Sequence, residues 1–350
     1  MSFYALKVAE ITRETSDCVS IRFAVPAALA DIFAFQPGQY LTLRHGPDER
    51  RAYSICSGLD DNELRIAIKL ADPGGFSEFA NTLLSAGDFL DVMPPEGRFG
   101  LLPNPAKNRN ILALAAGSGI TPILSIIKSV LSREPLSRVV FFYGSRATAG
   151  IIFRATLEDL KDRYISRFTV IHKLSRETQD VAVLNGHVDA AALTSLLPGL
   201  LTPADIDAAF LCGPTAMLDS LPIALAALGV PEDRIHTERF TSSTPPRPRA
   251  IVSPDAAPFA TATIIHEGQS RDIPIAKGEA VLDAALRAGM DLPWSCRGGM
   301  CCTCRARLVA GEAEMIQNFS LEPWETAAGF VLTCQAQPRS AHLIVDYDAV

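Results

Sequence analysis

Cys296-Arg297-Gly298-Gly299-Met300-Cys301-Cys302-Thr303-Cys304 is the most informative stretch of this chain. Three of its cysteines are spaced C-x4-C-x2-C, and Cys334 stands apart in Leu332-Thr333-Cys334-Gln335-Ala336. Four thiolates hold a [2Fe–2S] cluster with this spacing, one of them arriving from far along the chain. Gly298 and Gly299 let the backbone curl around inorganic sulfide and aim N–H groups at it. Structural zinc would want a second close cysteine pair, and Cys334 has no such neighbour. A disulfide framework does not suit 350 residues with eight cysteines and no secretory signal. Cys302 as a ligand would leave one residue before Cys304. The expected ligands are therefore Cys296, Cys301, Cys304 and Cys334, with Cys302 a bystander thiol.

Outward from this loop, the length suggests two or three domains. A hydrophobic share of 48% with 20% charged residues is that of a soluble globular protein. The net charge of −7 argues against general nucleic-acid binding. The N-terminus lacks a charged region followed by an apolar core, so it does not read as a signal peptide. No apolar run approaches the ~20 residues of a membrane span. These features predict a cytoplasmic protein with no membrane partner. Residues 241–260 carry Pro245, Pro246, Pro248, Pro254 and Pro258 and read as a semi-rigid linker. Before the linker, we expect domains over 1–104 and 105–240; after it, a third over 261–350.

In the first domain, β-branched or alternating runs at 5–12, 18–25, 40–44, 51–56 and 63–70 are separated by turn residues. Short strands at this spacing predict a small antiparallel barrel. Arg51-Ala52-Tyr53-Ser54 sets Arg51 and Tyr53 on one strand face and Ser54 on the other. An arginine suits a phosphate and a tyrosine a flat ring, although an ordinary amphipathic strand has the same pattern. Pro73-Gly74-Gly75-Phe76-Ser77 opens a helical pattern, which makes either an anion site or a simple helix cap.

The middle domain opens on the buried-strand run 110–116, which meets Gly117-Ser118-Gly119-Ile120-Thr121-Pro122 and an apolar helix. Pro122 suits the first turn of that helix. A strand, a glycine turn and a helix N-terminus form a pyrophosphate seat, although the third glycine of the dinucleotide fingerprint is missing. Strand and helix then alternate to a last strand ending at Cys212-Gly213-Pro214, which argues for a parallel sheet. Ligands sit at the carboxyl ends of such strands. Tyr143-Gly144-Ser145-Arg146 offers a hydroxyl and a cation suited to a ribose 2′-phosphate, where an NAD site often offers a carboxylate. We therefore expect NADPH rather than NADH.

The Arg51–Ser54 strand, the Gly74-Gly75 turn, Pro95-Glu96-Gly97-Arg98-Phe99 and the Gly117–Pro122 string, in this order, resemble the ferredoxin–NADP reductase superfamily. The resemblance implies FAD, with Tyr53 near the isoalloxazine ring and Arg51, Ser54, Gly74, Gly75 and Ser77 in the flavin site. Ser77 departs by one residue from the family's G-G-x-x-S turn. The resemblance also implies a nucleotide site at Gly117, Gly119, Thr121, Pro122 and Gly213, which Ser145 and Arg146 would complete by the strand-end reading above. It places Cys212 near the nicotinamide, and Glu238 and Phe240 of Ile235-His236-Thr237-Glu238-Arg239-Phe240 beside the reacting rings. A buried strand-end thiol and a plain edge strand are the bland readings of Cys212 and of 235–240.

The last ninety residues resemble a β-grasp ferredoxin. From Thr261 onward they carry eleven acidic and seven basic residues, a surface able to steer docking or simply to be solvated. The other five histidines, His45, His172, His187, His266 and His342, show no ligand spacing. A nicotinamide gives two electrons together and a [2Fe–2S] cluster takes one, so a flavin must split the pair. The chain therefore reads as NADPH to FAD to cluster to an outside acceptor. This domain order resembles the reductase components of multicomponent bacterial oxygenases. The doubled cysteine, Ser320-Leu321-Glu322-Pro323-Trp324-Glu325 and Ala328-Gly329-Phe330-Val331-Leu332-Thr333-Cys334 resemble the reductase subunits of phenylacetyl-CoA epoxidases. That implies a di-iron oxygenase partner on a separate chain. The alternatives are the reductase of a ring- or steroid-hydroxylating Rieske system, and a redox sensor that does not turn over.

Overall fold

The computed structural model describes residues 3–46, 49–71, 75–240 and 258–349. Gly74 and residues 241–257 of the expected linker lie outside the described residues. The described chain divides into two compact units, Phe3–Phe240 and a C-terminal unit over 258–349.

The first unit opens with strands β1 (Tyr4–Thr15), β2 (Cys18–Ala24), β3 (Tyr40–His45), β4 (Glu49–Ser54), β5 (Leu64–Lys69) and β6 (Phe89–Val92). They run antiparallel in the order β4-β3-β6-β1-β2-β5. The ends meet through an Ile55–Ile66 bridge and the Cys56 N–H to Arg65 carbonyl bond of 2.8 Å, which close the sheet into a barrel. Inward side chains at every second position fill it: Leu6, Val8, Ile21, Leu41, Leu43 and Ile66 are buried. Helix α1 (Phe76–Thr82) drops Phe76 and Ala80 into the same core.

The rest of this unit alternates β7 (Asn110–Ala116), α2 (Ile120–Arg133), β8 (Arg138–Ser145), α3 (Arg154–Arg163), β9 (Phe168–Leu174), α4 (Ala190–Leu196), β10 (Ala208–Cys212), α5 (Thr215–Ala227) and β11 (Ile235–Glu238). The strands are parallel in the order β11-β10-β7-β8-β9. Helices cover both faces, so Ile111 to Ala115 is buried without alternation. The chain winds from β7 through β8 to β9, then returns to the other side of β7 as β10. The strand order therefore reverses between β7 and β10, where open α/β sheets bind ligands.

Helix α2 joins the barrel to this sheet. Cys18, Cys56 and Ala67 of the barrel share one apolar core with Ile120, Ile127 and Leu131. A polar seam runs beside it: the Ser125 hydroxyl donates to the Ser57 carbonyl at 2.7 Å, and the Leu59 N–H donates to Ser129 Oγ at 3.1 Å. A Cβ at Gly58 would lie 2.6 Å from Lys128 Cβ, so the loop approaches the helix closely there.

The C-terminal unit contains β12 (Ala260–His266), β13 (Gln269–Ile275), α6 (Val281–Arg287), β14 (Arg305–Ala310), β15 (Ala313–Met315), α7 (Pro323–Ala327), β16 (Phe330–Leu332), β17 (Ala336–Pro338) and β18 (His342–Asp346). The main sheet is ordered β13-β12-β18-β14-β16, with β12 and β18 parallel and the other pairs antiparallel; β15 and β17 pair separately. Helix α6 buries Val281, Leu282, Ala284 and Ala285 in the same core as Ile264, Ile273 and Val345. This is a β-grasp fold, as expected. Strands β15 to β18 and helix α7, each of three to five residues, were not expected from the sequence.

Glu134, past the end of α2, is fully buried. It pairs with Arg109, accepts from Ser137 Oγ at 2.6 Å and accepts from the Asn104 N–H at 2.8 Å. Burial opposes its ionisation, but Arg109, Ser137 and the Asn104 N–H hold the carboxyl below its ordinary value. A folded value below the unfolded one gives stability that is present above about pH 4.3 and lost as pH falls through the depressed value. Arg109→Ala should lower the unfolding free energy by about 3 kcal/mol near neutrality, because it strands a buried carboxylate. Urea unfolding at pH 7 and pH 4 should show the deficit shrinking in acid.

Candidate functional site

In the barrel, β4 carries Arg51, Tyr53 and Ser54, and the first residue of α1, Phe76, lies beside it. The Arg51 guanidinium pairs with Glu49 at 3.1 Å, and Glu49 accepts from the Phe76 N–H at 3.2 Å. The Tyr53 and Phe76 rings are 5.7 Å apart at 42°. Strand β4 and the start of α1, distant in sequence, thus form one surface with a cation, a phenol and a helix start. Gly75 caps α1 in an extended conformation that any residue adopts. Ser77 is buried, and its hydroxyl accepts from the Ala71 N–H at 3.3 Å. His45 stacks on Phe79 at 4.4 Å and 30°, a packing role.

Ser54, on the opposite face of β4, points toward the parallel sheet. Its hydroxyl donates to Glu238 Oε2 at 3.3 Å across 184 residues of chain. Glu238 ends β11, directly in register with Cys212 at the end of β10. The residue as a whole is half-buried, but its carboxyl is desolvated, which pushes it up to about 8; the Ser54 bond offsets part of this. At neutral pH this group holds a proton. Cys212 is fully buried, and burial reinforced by Glu238 raises its thiol well above the ordinary range. Its expected position beside an uncharged proton-bearing group is therefore that of a neutral thiol. Phe240, two residues on, is 38% exposed. The edge-strand reading of 235–240 holds, because β11 lies at the edge of the parallel sheet, and its last residue, Glu238, meets Ser54 of the barrel.

The glycine turn sits at the reversal of strand order. Gly117 has φ +57°, a left-handed conformation that favours glycine. A Cβ on Gly119 would lie 2.1 Å from the Cys212 carbonyl oxygen, so only glycine fits. A Cβ on Gly213 would meet the Met217 side chain at 3.0 Å and the Ala116 nitrogen at 3.3 Å. The Thr121 hydroxyl donates to the Ser118 carbonyl at 3.0 Å and stabilises the turn, while Pro122 is buried early in α2. Tyr143, not singled out from the sequence, donates its hydroxyl to the Gly117 carbonyl at 3.0 Å and anchors the turn to β8.

At the ends of β8 and β9 a second serine–arginine pair joins the first. The Ser175 N–H donates to the Ser145 carbonyl at 3.0 Å, and the Arg176 N–H to the Arg146 carbonyl at 2.8 Å. Ser145 is buried and both arginines are exposed. Ser175 and Arg176 were missed in the sequence reading. The signal was the repeat of Ser-Arg after two successive strands, which only the parallel register makes meaningful.

In the C-terminal unit the thiols of Cys296 and Cys301 interact directly, as do those of Cys304 and Cys334. The Gly298 N–H donates to Cys296 Sγ at 3.4 Å and the Cys296 N–H to Cys301 Sγ at 3.5 Å. The Cys301 thiol, with the N–H groups of Gly298, Met300 and Cys301, brings Cys296 down to about 6, in the thiolate direction. Among the described residues no three His, Cys, Asp or Glu side chains gather as a single-ion site would require. Two thiol pairs, the first of them among backbone N–H donors, fit two bridged irons. Arg297 and Cys302 take left-handed φ values of +51° and +58°. That turn sends Cys302 Sγ away to Ser320 Oγ at 3.0 Å.

The matches to known proteins agree with this architecture. Residues 113–221 match the oxidoreductase NAD-binding domain family, and residues 264–339 the 2Fe-2S iron-sulfur cluster binding domain family. The chain is 43% identical over 99% of its length to one of the subunits of the 1,2-phenylacetyl-CoA epoxidase of Escherichia coli K12, covering 98% of that protein. It is 33% identical over 98% of its length to the ferredoxin reductase component of 3-ketosteroid-9-alpha-monooxygenase of Rhodococcus rhodochrous, covering 96% of it. The solved structure of phthalate dioxygenase reductase, 24% identical, aligns over 98% of both chains with a TM-score of 0.59 and shares the fold. Full-length identity well above 30%, an NAD-binding module and an iron–sulfur module in one chain show that it belongs to the family of ferredoxin reductase components of oxygenases, the FAD- and pyridine-nucleotide-dependent iron–sulfur oxidoreductases.

Proposed function

We propose that this chain draws electrons from NADPH and delivers them one at a time to the di-iron oxygenase component of a phenylacetyl-CoA epoxidase in the cytoplasm. The observation that carries the partner is the 43% identity maintained over 99% of the chain, against 33% and 36% for steroid monooxygenase components. Eight free cysteines are in keeping with a reducing compartment, and no helix among the described residues is long and apolar enough to cross a membrane. We assign 1–104 to the flavin barrel, 105–240 to the nucleotide domain, 241–260 to a linker and 261–350 to the ferredoxin.

FAD supplies the conversion between a two-electron donor and a one-electron acceptor. The protein groups bind, orient and exclude water. Arg51, with the N-terminus of α1, holds the flavin pyrophosphate, and Tyr53 lies along the ring. Gly117, Gly119 and Gly213 let the backbone approach the nucleotide, and Cys212, too buried to ionise, packs against the nicotinamide. Glu238 and Ser54 keep a proton at Glu238 Oε2 next to the reacting rings, and Phe240 covers them. Ser145, Arg146, Ser175 and Arg176 recognise the 2′-phosphate. Cys296, Cys301, Cys304 and Cys334 hold the cluster.

Reconstitution decides the partner. With NADPH and this chain, the di-iron epoxidase component should turn over phenylacetyl-CoA; turnover only with a steroid-hydroxylating Rieske component would overturn the assignment. Steady NADPH oxidation with an artificial electron acceptor would exclude a sensor that does not turn over.

Removing a charge-assisted phosphate contact costs about tenfold or more in affinity. Arg176→Ala and Arg146→Ala should each raise KM for NADPH by about that factor and leave KM for NADH unchanged, as read from steady-state diaphorase assays.

The rate of flavin reduction by NADPH in stopped flow should fall as pH rises through about 8, the value of Glu238, and Glu238→Gln should flatten that profile. The same carboxyl should add stability that is complete below its unfolded value of about 4.3 and lost as pH rises through about 8.

Serine at Cys296, Cys301, Cys304 or Cys334 should abolish the iron–sulfur absorbance, whereas Cys302→Ser should retain it.

A further inference from the structure

The fourth expected ligand arrives from thirty residues beyond the first three, and something must fix it against the loop. Gln335, the residue after Cys334, is 5% exposed. Its side-chain amide Nε2 donates to the Arg297 carbonyl at 2.8 Å and faces Cys334 Sγ at 3.6 Å. One amide nitrogen thus spends its two hydrogens on both sides of the site. One goes to the backbone between Cys296 and Cys301, the other to the sulfur of the distant ligand.

The surrounding backbone is built to hold this amide in place. The Gln335 N–H donates to the Leu332 carbonyl at 2.8 Å, and its carbonyl accepts from the Ile316 N–H at 3.2 Å. Gly299, at φ +75°, leaves little room for a side chain: a Cβ there would lie 3.3 Å from Gln335 Cγ and 3.0 Å from the Gln317 carbonyl oxygen, so one of them would have to give way. The glycine pair of the loop therefore has two uses. It bends the chain about the sulfurs, and it admits the Gln335 side chain from behind.

We propose that Gln335 is a positioning residue of the electron-transfer centre: its amide locks the Cys334 leg to the 296–304 loop and raises the reduction potential by hydrogen-bonding the Cys334 thiolate. The inference rests on the reading of Cys296, Cys301, Cys304 and Cys334 as the ligands of a [2Fe–2S] cluster. On reduction the cluster gains one electron and no atom, so negative charge on its sulfurs increases. A donor fixed 3.6 Å from one of them favours the reduced form. The main-chain donors at Cys296 and Cys301 belong to the loop itself, whereas Gln335 is the side-chain donor that ties in the fourth ligand.

The test uses the full chain loaded with flavin and cluster. Side-chain 15N-labelled glutamine is incorporated, the cluster is reduced, and pulsed EPR reads nitrogen hyperfine coupling. A coupled amide nitrogen is expected, and it should vanish in Gln335→Met, which keeps the length of the side chain and removes the donor. An EPR-monitored titration of Gln335→Met should show the reduction equilibrium constant lowered roughly tenfold, about 59 mV for a one-electron couple. Gln335→Asn, which keeps the amide but shortens its reach, should give a value between those of Gln335→Met and the wild type. A wild-type protein with a normal cluster spectrum but no amide-nitrogen coupling overturns the role of Gln335 and leaves the cluster reading intact. An unchanged potential in fully loaded Gln335→Met overturns the potential-raising role in the same way. A wild-type protein that assembles no cluster overturns both readings.

Discussion

The backbone contact between Gly119 and Cys212 is the constraint on which the nucleotide half depends. A single added carbon at Gly119 would press to 2.1 Å from a carbonyl oxygen that is fixed in a parallel sheet. Without that carbon, the ends of β7 and β10 close together, and the strand-order reversal between them opens as a crevice rather than a gap. Tyr143 pins the glycine turn from β8, and β11 brings Glu238 into register with Cys212. Each element of the site is thus referred to one close approach of two main chains.

The flavin barrel is tied to that crevice by two kinds of contact. The apolar contact comes from Cys18, Cys56 and Ala67 against α2, and the polar one from Ser125 and Ser129, which satisfy backbone groups of the 57–59 loop. Buried hydroxyls paired in this way cost little and fix the register of the two halves. That register allows Ser54 of β4 to reach Glu238 of β11. An uncharged carboxyl follows from the geometry, because desolvation outweighs the one hydroxyl that supports its ionised form.

The iron–sulfur unit meets a comparable problem on a smaller scale. A loop that must expose N–H groups to sulfur cannot also satisfy them in a ladder. It therefore relies on residues in left-handed conformations, Arg297, Gly299 and Cys302, and on side chains that brace it from outside. Cys302 is turned toward Ser320, and Gln335 closes the other side. The second cysteine of the doubled pair, Cys302, thus contributes to the loop's shape through its left-handed turn and its Ser320 contact.

The amino-acid sequence by itself determined the order of the modules, the runs that became β7 to β10, and the cysteine spacing, because hydrophobic period and glycine placement are local properties. It also marked Arg51, Tyr53, Ser54, Cys212 and Glu238 one by one through resemblance. It did not disclose that Ser54 bonds Glu238 across 184 residues, that Ser175-Arg176 lies beside Ser145-Arg146, or that Gln335 reaches back to Arg297. Strands of three residues, such as β15 to β17, also escaped it, because a run that short carries no readable period. Those relations belong to strand register and burial, which arise only when distant segments exclude water from one another, and so only the tertiary structure decided them.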